Sequence, residues 1–178
     1  MIPLPPPALD GSVSVEAALS ARRSVRSYAD EPLSMEALGQ LLWAAQGVTE
    51  PQEEAPEGFQ WQWMGGRRTA PSAGALYPLE MYAVVGNVTG LAPGLYKYVP
   101  TEHALVRTLE GDQRTALWDV ALRQTPIQEA PLTLVFAGVV ARTAAKYGDR
   151  AERYVNASVG SSGDNVSLRC ETLGLGRV

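Results

Sequence analysis

Leu95-Tyr96-Lys97-Tyr98-Val99-Pro100-Thr101-Glu102-His103-Ala104-Leu105-Val106 is the stretch on which the fold class turns. Leu95 to Val99 is a short aromatic run that suits a strand, introduced by the turn formers Pro93-Gly94. Ala104-Leu105-Val106 reads as its hairpin neighbour across Pro100-Thr101-Glu102-His103. A connection that short joins antiparallel strands, because a parallel pair needs a long crossover. Upstream, Leu79 to Val85 reads as a strand ending at Gly86-Asn87. Downstream, Leu132 to Val140 is a near-continuous apolar run, which predicts a central strand buried on both faces. Helical patterns sit before and after these strands without regular βαβ alternation. The reading is therefore α+β, with helices packed on a mostly antiparallel sheet.

The helices carry their own punctuation. Ser14 caps a predicted helix with Glu16 in its first turn, running to about Arg22 or Arg23. Ser34 caps a second, in which Leu38, Leu41, Leu42 and Ala45 make an apolar stripe and Gly47 is the stop. Asp112 is placed to cap a third, carrying Leu117, Val120 and Ala121. From Ala151 the pattern is helical again, interrupted by Gly160-Ser161-Ser162-Gly163, where glycine lets another backbone or a flat ring approach. Gly174 marks its end, and Arg177-Val178 reads as the start of another strand. Residues 48–66 read as a long loop, either functional or a hairpin-like excursion over the core. Residues 1–11 are Pro-rich and extended, a leading arm rather than a core element.

Bulk properties bound the rest. The 178 residues are 46% hydrophobic and 19% charged, which suits one domain over residues 1–178. A net charge of -4 argues against a nucleic-acid partner, which selects a basic face. A single cysteine, Cys170, excludes an internal disulfide and multi-cysteine metal sites; a single histidine, His103, excludes paired-histidine zinc motifs. No signal peptide or membrane span is expected, and a reducing, cytoplasmic setting is the simplest expectation.

Three clusters carry chemistry. Arg22-Arg23-Ser24-Val25-Arg26-Ser27-Tyr28 crowds three cations onto an acidic protein, which suits an anion, above all phosphate. The competing reading is a solvated helix end. Pro71-Ser72-Ala73-Gly74-Ala75-Leu76-Tyr77-Pro78 is small enough to let a planar ligand reach the backbone, or is an ordinary turn. Lys146-Tyr147-Gly148 places two proton donors side by side on a turn or irregular segment, or is a surface lysine beside a half-buried tyrosine. His103 stands alone in a hairpin turn, a poor position for a catalytic base. No Gly-rich dinucleotide fingerprint and no P-loop occurs.

Taken together, these residues resemble the nitroreductase family, and within it the SagB-type dehydrogenase branch. Arg22 to Tyr28 is similar to the family's opening motif. Arg67 to Glu80, Gly94 to Tyr98, Arg142 to Arg150 and Arg153-Tyr154 are similar to the branch. The resemblance implies an FMN-dependent oxidoreductase folded as an intertwined homodimer, with FMN at the subunit interface. It implies that Arg22, Arg23, Ser24 and Arg26 hold the phosphate and ribityl chain. Pro71, Ser72, Ala73, Gly74 and Leu76 of the partner chain would line the flavin ring. Lys146 and Tyr147 match the pair that assists azoline oxidation in a peptide. The alternatives are an NAD(P)H-dependent nitro or quinone reductase, and a non-catalytic remnant acting as a scaffold subunit. Ser161 and Asp164 stand where the family usually has His and Gln. The family also continues past the position of Val178 into a further strand and basic residues, so the resemblance implies a C-terminal segment lacking here.

Overall fold

The computed structural model describes residues 1–51 and 65–178. Its elements are β1 (Ile2–Pro3), α1 (Val15–Ala21), α2 (Met35–Gln46), β2 (Val48–Pro51), β3 (Gly66–Arg68), β4 (Leu79–Val85), β5 (Gly94–Val99), β6 (Ala104–Glu110), α3 (Arg114–Val120), α4 (Thr125–Glu129), β7 (Leu132–Gly138), α5 (Val140–Tyr147) and α6 (Ala151–Thr172). Five strands form one antiparallel sheet in the order β1-β6-β5-β4-β7, and β2 pairs with β3 separately. The fold is the expected α+β, with the hairpin of β5 and β6 at its centre.

The core forms where the stripe of α2 meets one face of the sheet. Leu38 and Leu42 are fully buried, and they pack with Met81, Ala83, Val85, Tyr96, Tyr98 and Leu105. Each such leucine contributes about 1.5–3 kcal/mol of hydrophobic stabilisation. Both serine caps form as predicted. Ser14 Oγ accepts from the Ala17 amide and Ser34 Oγ from the Ala37 amide, each at 3.1 Å. Each is worth about 1 kcal/mol. Gly47 does end α2, with φ -62°, so left-handed geometry is not the reason. A Cβ there would overlap the Trp43 side chain, which leaves glycine as the residue that fits.

Several expectations are corrected. Leu132–Val140 is not a central strand: β7 ends at Gly138, pairs with β4 alone among the described residues, and is half-buried along residues 132–137. An apolar run reports burial of side chains but not which edge of a sheet is occupied. Asp112 is not the cap of α3. Gln113 holds that position without a side-chain bond, although Asp112 Oδ1 still accepts from the Arg114 amide at 3.0 Å. The leading arm reaches the core. Ile2 pairs opposite Leu105, Leu4 is buried, and the Gln40 amide exchanges two hydrogen bonds with the Ala8 backbone. His103, in its hairpin turn, touches Pro5 O and Tyr98 Oη at 2.9 Å each.

Residues 48–66 are not wholly a loop, since β2 and β3 pair at its ends. Trp61 and Trp63 fall outside the described residues. α6 runs unbroken through Gly160 and Gly163, and nothing among the described residues lies within 4 Å of a Cβ built at either. α6 stops in a Schellman arrangement: Leu175 N donates to Cys170 O, Gly174 N donates to Glu171 O, and Gly174 takes φ +67°. Arg177-Val178 forms no strand; the Arg177 carbonyl instead accepts from the Val25 amide at 2.7 Å. No described helix is long and apolar enough to cross a membrane.

Candidate active site

Strand register builds the site. Leu79 at the start of β4 lies opposite Gly138 at the end of β7. The segment entering β4 and the helix leaving β7 are therefore placed at the same end of the sheet. That segment is the Pro71–Pro78 turn, and that helix is α5.

The turn is tight. Gly74, Ala75 and Tyr77 have φ of 62°, 53° and 42°, left-handed backbone that disfavours a side chain. Tyr77 is gripped at three points. Its amide donates to Ser72 Oγ at 2.9 Å, its carbonyl accepts from Arg142 Nη1 at 2.8 Å, and its hydroxyl accepts from the Arg68 amide at 3.2 Å. The buried Arg68 guanidinium lies 4.7 Å from the Tyr77 ring centroid and donates to Gln46 Oε1, whose amide reaches Ser162 Oγ on α6. Burial lowers the Arg68 pKa from its ordinary value.

Glu80 stands one residue into β4. It accepts from Arg142 Nη2 at 2.7 Å and from Lys97 Nζ at 2.8 Å. Burial alone would raise its pKa; the hydrogen bonds from Lys97 and Arg142 outweigh that and hold it below the usual carboxylate range. The same carboxylate raises the Lys97 pKa.

Lys146 and Tyr147 occupy the last turn of α5, not an irregular segment; Gly148 with φ +52° ends the helix. The structure brings them directly onto the turn. A Cβ added at Gly74 would lie 2.9 Å from Tyr147 Oη and 3.1 Å from Lys146 Nζ. Gly74 is thus small because this pair closes over it within the same chain. The Tyr147 ring is held edge-on by Tyr154 of α6 at 4.8 Å. Among the other turn residues, Pro71 is exposed, Ser72 and Ala73 are half-buried, and Leu76 is fully buried. The Leu76 side chain is therefore part of the core.

The arginine cluster lies elsewhere. Arg22 is the C-cap of α1, and Arg23, Ser24 and Arg26 follow it. Arg23 Nη1 donates to Ser20 O and Arg22 O, closing its own helix end, and its amide meets Glu171 Oε1 near the C-terminus of α6. Arg22 and Arg26 form no ion pair among the described residues. Tyr154 and Glu171 mark the two ends, and α6 separates them by roughly 25 Å at 1.5 Å per residue. One chain does not bring the arginines and the Gly74 turn into one pocket.

A cavity of about 510 Å³ adjoins the arginine stretch, whose Val25, Ser27 and Tyr28 contribute to its wall, and lies away from the Gly74 turn. Tyr28, Leu33, Leu134, Phe136, Val166 and Cys170 line it. Burial pushes the Cys170 thiol up to about 11, which leaves it protonated and inert at neutral pH.

The sequence offers the Lys-Tyr pair and the turn as separate candidates, without the bracing of Tyr77 by Arg142 and Glu80. The available signal was spacing: Arg142 precedes Lys146 by one helical turn.

Residues 19–178 match the nitroreductase family profile. A Methanocaldococcus jannaschii protein provisionally named a nitroreductase is 42% identical over 166 residues, spanning 93% of this chain and 77% of the relative. A crystal structure from Ralstonia eutropha JMP134, with a similarly provisional name, superposes with TM-score 0.77 at 30% identity over 98% of this chain and 73% of that one. A chain of the Escherichia coli microcin synthetase McbBCD complex with truncated pro-MccB17 bound aligns with TM-score 0.64 at 21% identity, over 93% of this chain and 62% of that one. This last is a likeness of fold alone. The nitroreductase family generally binds flavin, and two surface arginines without ion-pair partners are a donor set that fits a phosphate. With its register-built turn, its Lys-Tyr pair and this match over nearly its whole length, the chain belongs to the nitroreductase family of oxidoreductases.

Proposed function

We propose that the chain is an FMN-dependent dehydrogenase of the SagB type, acting as a homodimer on an azoline in a peptide or on a related small molecule. The observation that carries this reading is the closure of Lys146 and Tyr147 over Gly74, which joins a pair of proton donors to a turn suited to a flat ring. FMN, when bound, supplies the two-electron chemistry that the side chains lack. Arg22 and Arg26 hold its phosphate by charge-assisted hydrogen bonds, with Ser24 adding a hydroxyl. Arg23 contributes less, because its guanidinium is engaged with backbone carbonyls. Backbone of Pro71 to Gly74 lines the ring. The Lys146 ammonium and Tyr147 hydroxyl hold a proton at the reacting centre.

The proposed dimer is supported by the separation of the two groups. Arginines and turn lie at opposite ends of α6, so a second copy supplies whichever half a given FMN lacks. A soluble monomer would leave each half unmatched.

A nitro or quinone reductase using NAD(P)H is the second reading, favoured by the names of the archaeal and Ralstonia relatives. The choice rests on Lys146 and Tyr147 rather than on fold likeness to the microcin synthetase chain. Purified protein is expected to be yellow, with close to one FMN per chain and a dimeric mass. Protein that stays colourless after incubation with FMN and desalting rejects the proposal. Turnover of an azoline-bearing peptide, set against a nitroaromatic with NADPH, then separates the two readings.

A further inference from the structure

We propose that Arg142 is the positioning residue for Lys146 and Tyr147, an inference that rests on reading those two as the proton-handling pair. Arg142 lies one turn before Lys146 on α5, so both project from one side of the helix. Its side chain is only 12% exposed and its guanidinium is committed twice: Nη1 to the Tyr77 carbonyl and Nη2 to Glu80 Oε1. The second Glu80 oxygen takes Lys97 of β5, which ties the carboxylate to the sheet. At the head of α5 the Val139 amide donates to the Pro78 carbonyl at 2.8 Å.

The result is a continuous bracing from β5 through Glu80 and Arg142 to α5, and through Tyr77 to the turn. Both sides of the contact between Gly74 and the Lys-Tyr pair are held by one planar group. A guanidinium can meet a carbonyl and a carboxylate at once in fixed directions; an ammonium offers no such fork. Tyr77 needs such a hold because its backbone is left-handed at φ 42°. A role confined to stability would leave the Lys146 ammonium in place when Arg142 is exchanged for another residue that still allows folding.

The chain has two lysines, Lys97 and Lys146, so reductive ¹³C-methylation of the holoprotein labels those and the amino terminus. Lys146→Arg identifies the Lys146 signal. Its Nζ lies 5.6 Å from the Tyr147 ring centroid, and the ring current marks that position. In Arg142→Met the signal is expected to move to the place of a freely solvated dimethyl-lysine. Arg142→Gln, which keeps a polar donor and serves if the Met variant does not fold, is expected to move it in the same direction. A Lys146 signal unchanged from wild type in a folded Arg142 variant overturns the proposal. A displaced signal with unchanged turnover upholds the positioning role and removes Lys146 from catalysis, so the two readings fail separately.

Discussion

The two ends of α6 are built on opposite principles. At its N-terminal end Arg142, Glu80, Lys97 and the Gly74 turn are tied together by hydrogen bonds and ion pairs within the one chain, and Tyr147 packs onto that turn. At its C-terminal end Arg22 and Arg26 stand without an ion-pair partner among the described residues, while the Arg23 guanidinium closes its own helix and its amide meets Glu171. Charges of one sign kept together on an acidic protein cost stability unless something binds them. The first end is organised by folding. The second leaves two cations without an ion pair among the described residues, and under the proposed function they hold a phosphate.

The largest expected effect breaks the second end without touching the first. Arg22→Ala with Arg26→Ala removes charge-assisted contacts worth about 1.5–3 kcal/mol each from FMN affinity. The urea midpoint of the apoprotein should stay within about 0.5 kcal/mol of wild type. Flavin titration and denaturation check the pair; unchanged FMN affinity removes the phosphate from this end.

Lys146→Met tests the first end. Flavin content should be retained while turnover falls by roughly 10²–10⁴-fold, the usual worth of a positioned proton donor. Loss of flavin instead would make Lys146 a cofactor contact.

Gly74→Val probes the same end through stability. A β-branched residue at φ 62° that meets Tyr147 Oη at 2.9 Å should cost roughly 1–3 kcal/mol, read by chemical denaturation, while the arginine end keeps its phosphate affinity. A neutral result would mean that Lys146 and Tyr147 do not rest on this turn in solution.

The smallest effect lies in neither end and serves as a control. Burial holds the His103 pKa below its ordinary value, against the opposing hydrogen bond to Pro5. The unfolded chain therefore takes up the proton first as pH falls. This contribution is fully present above about pH 6.5, declines as pH drops below it, and is exhausted once the folded pKa is passed. Urea midpoints of wild type and His103→Asn between pH 8 and pH 5 check the sign. A wild-type slope no steeper than that of the variant contradicts it.

Legibility in the sequence followed the range of the interaction. Ser14 and Ser34 announce α1 and α2 because a cap is a contact three residues long. Leu79–Val85 was bounded correctly because turn residues flank it. Gly174 was legible because a Schellman end needs a residue at positive φ. Leu132–Val140 misled because strand rank in a sheet depends on partners far away in sequence. Asp112 misled by one residue, since both it and Gln113 precede the helix. Gly74 was legible as a place where something approaches closely. That Lys146 and Tyr147 are what approach was not, because nothing local to either segment encodes their meeting.

The proposed site residues are written locally: three arginines on an acidic chain, a Pro-Ser-Ala-Gly-Ala turn, and a lysine beside a tyrosine. Their arrangement was a tertiary decision. The antiparallel register of β4 with β7 sets the turn against α5, and the length of α6 holds the arginines at the far end. Residue type follows from what a site must do, whereas distance follows from strands and helices whose partners lie across the whole chain.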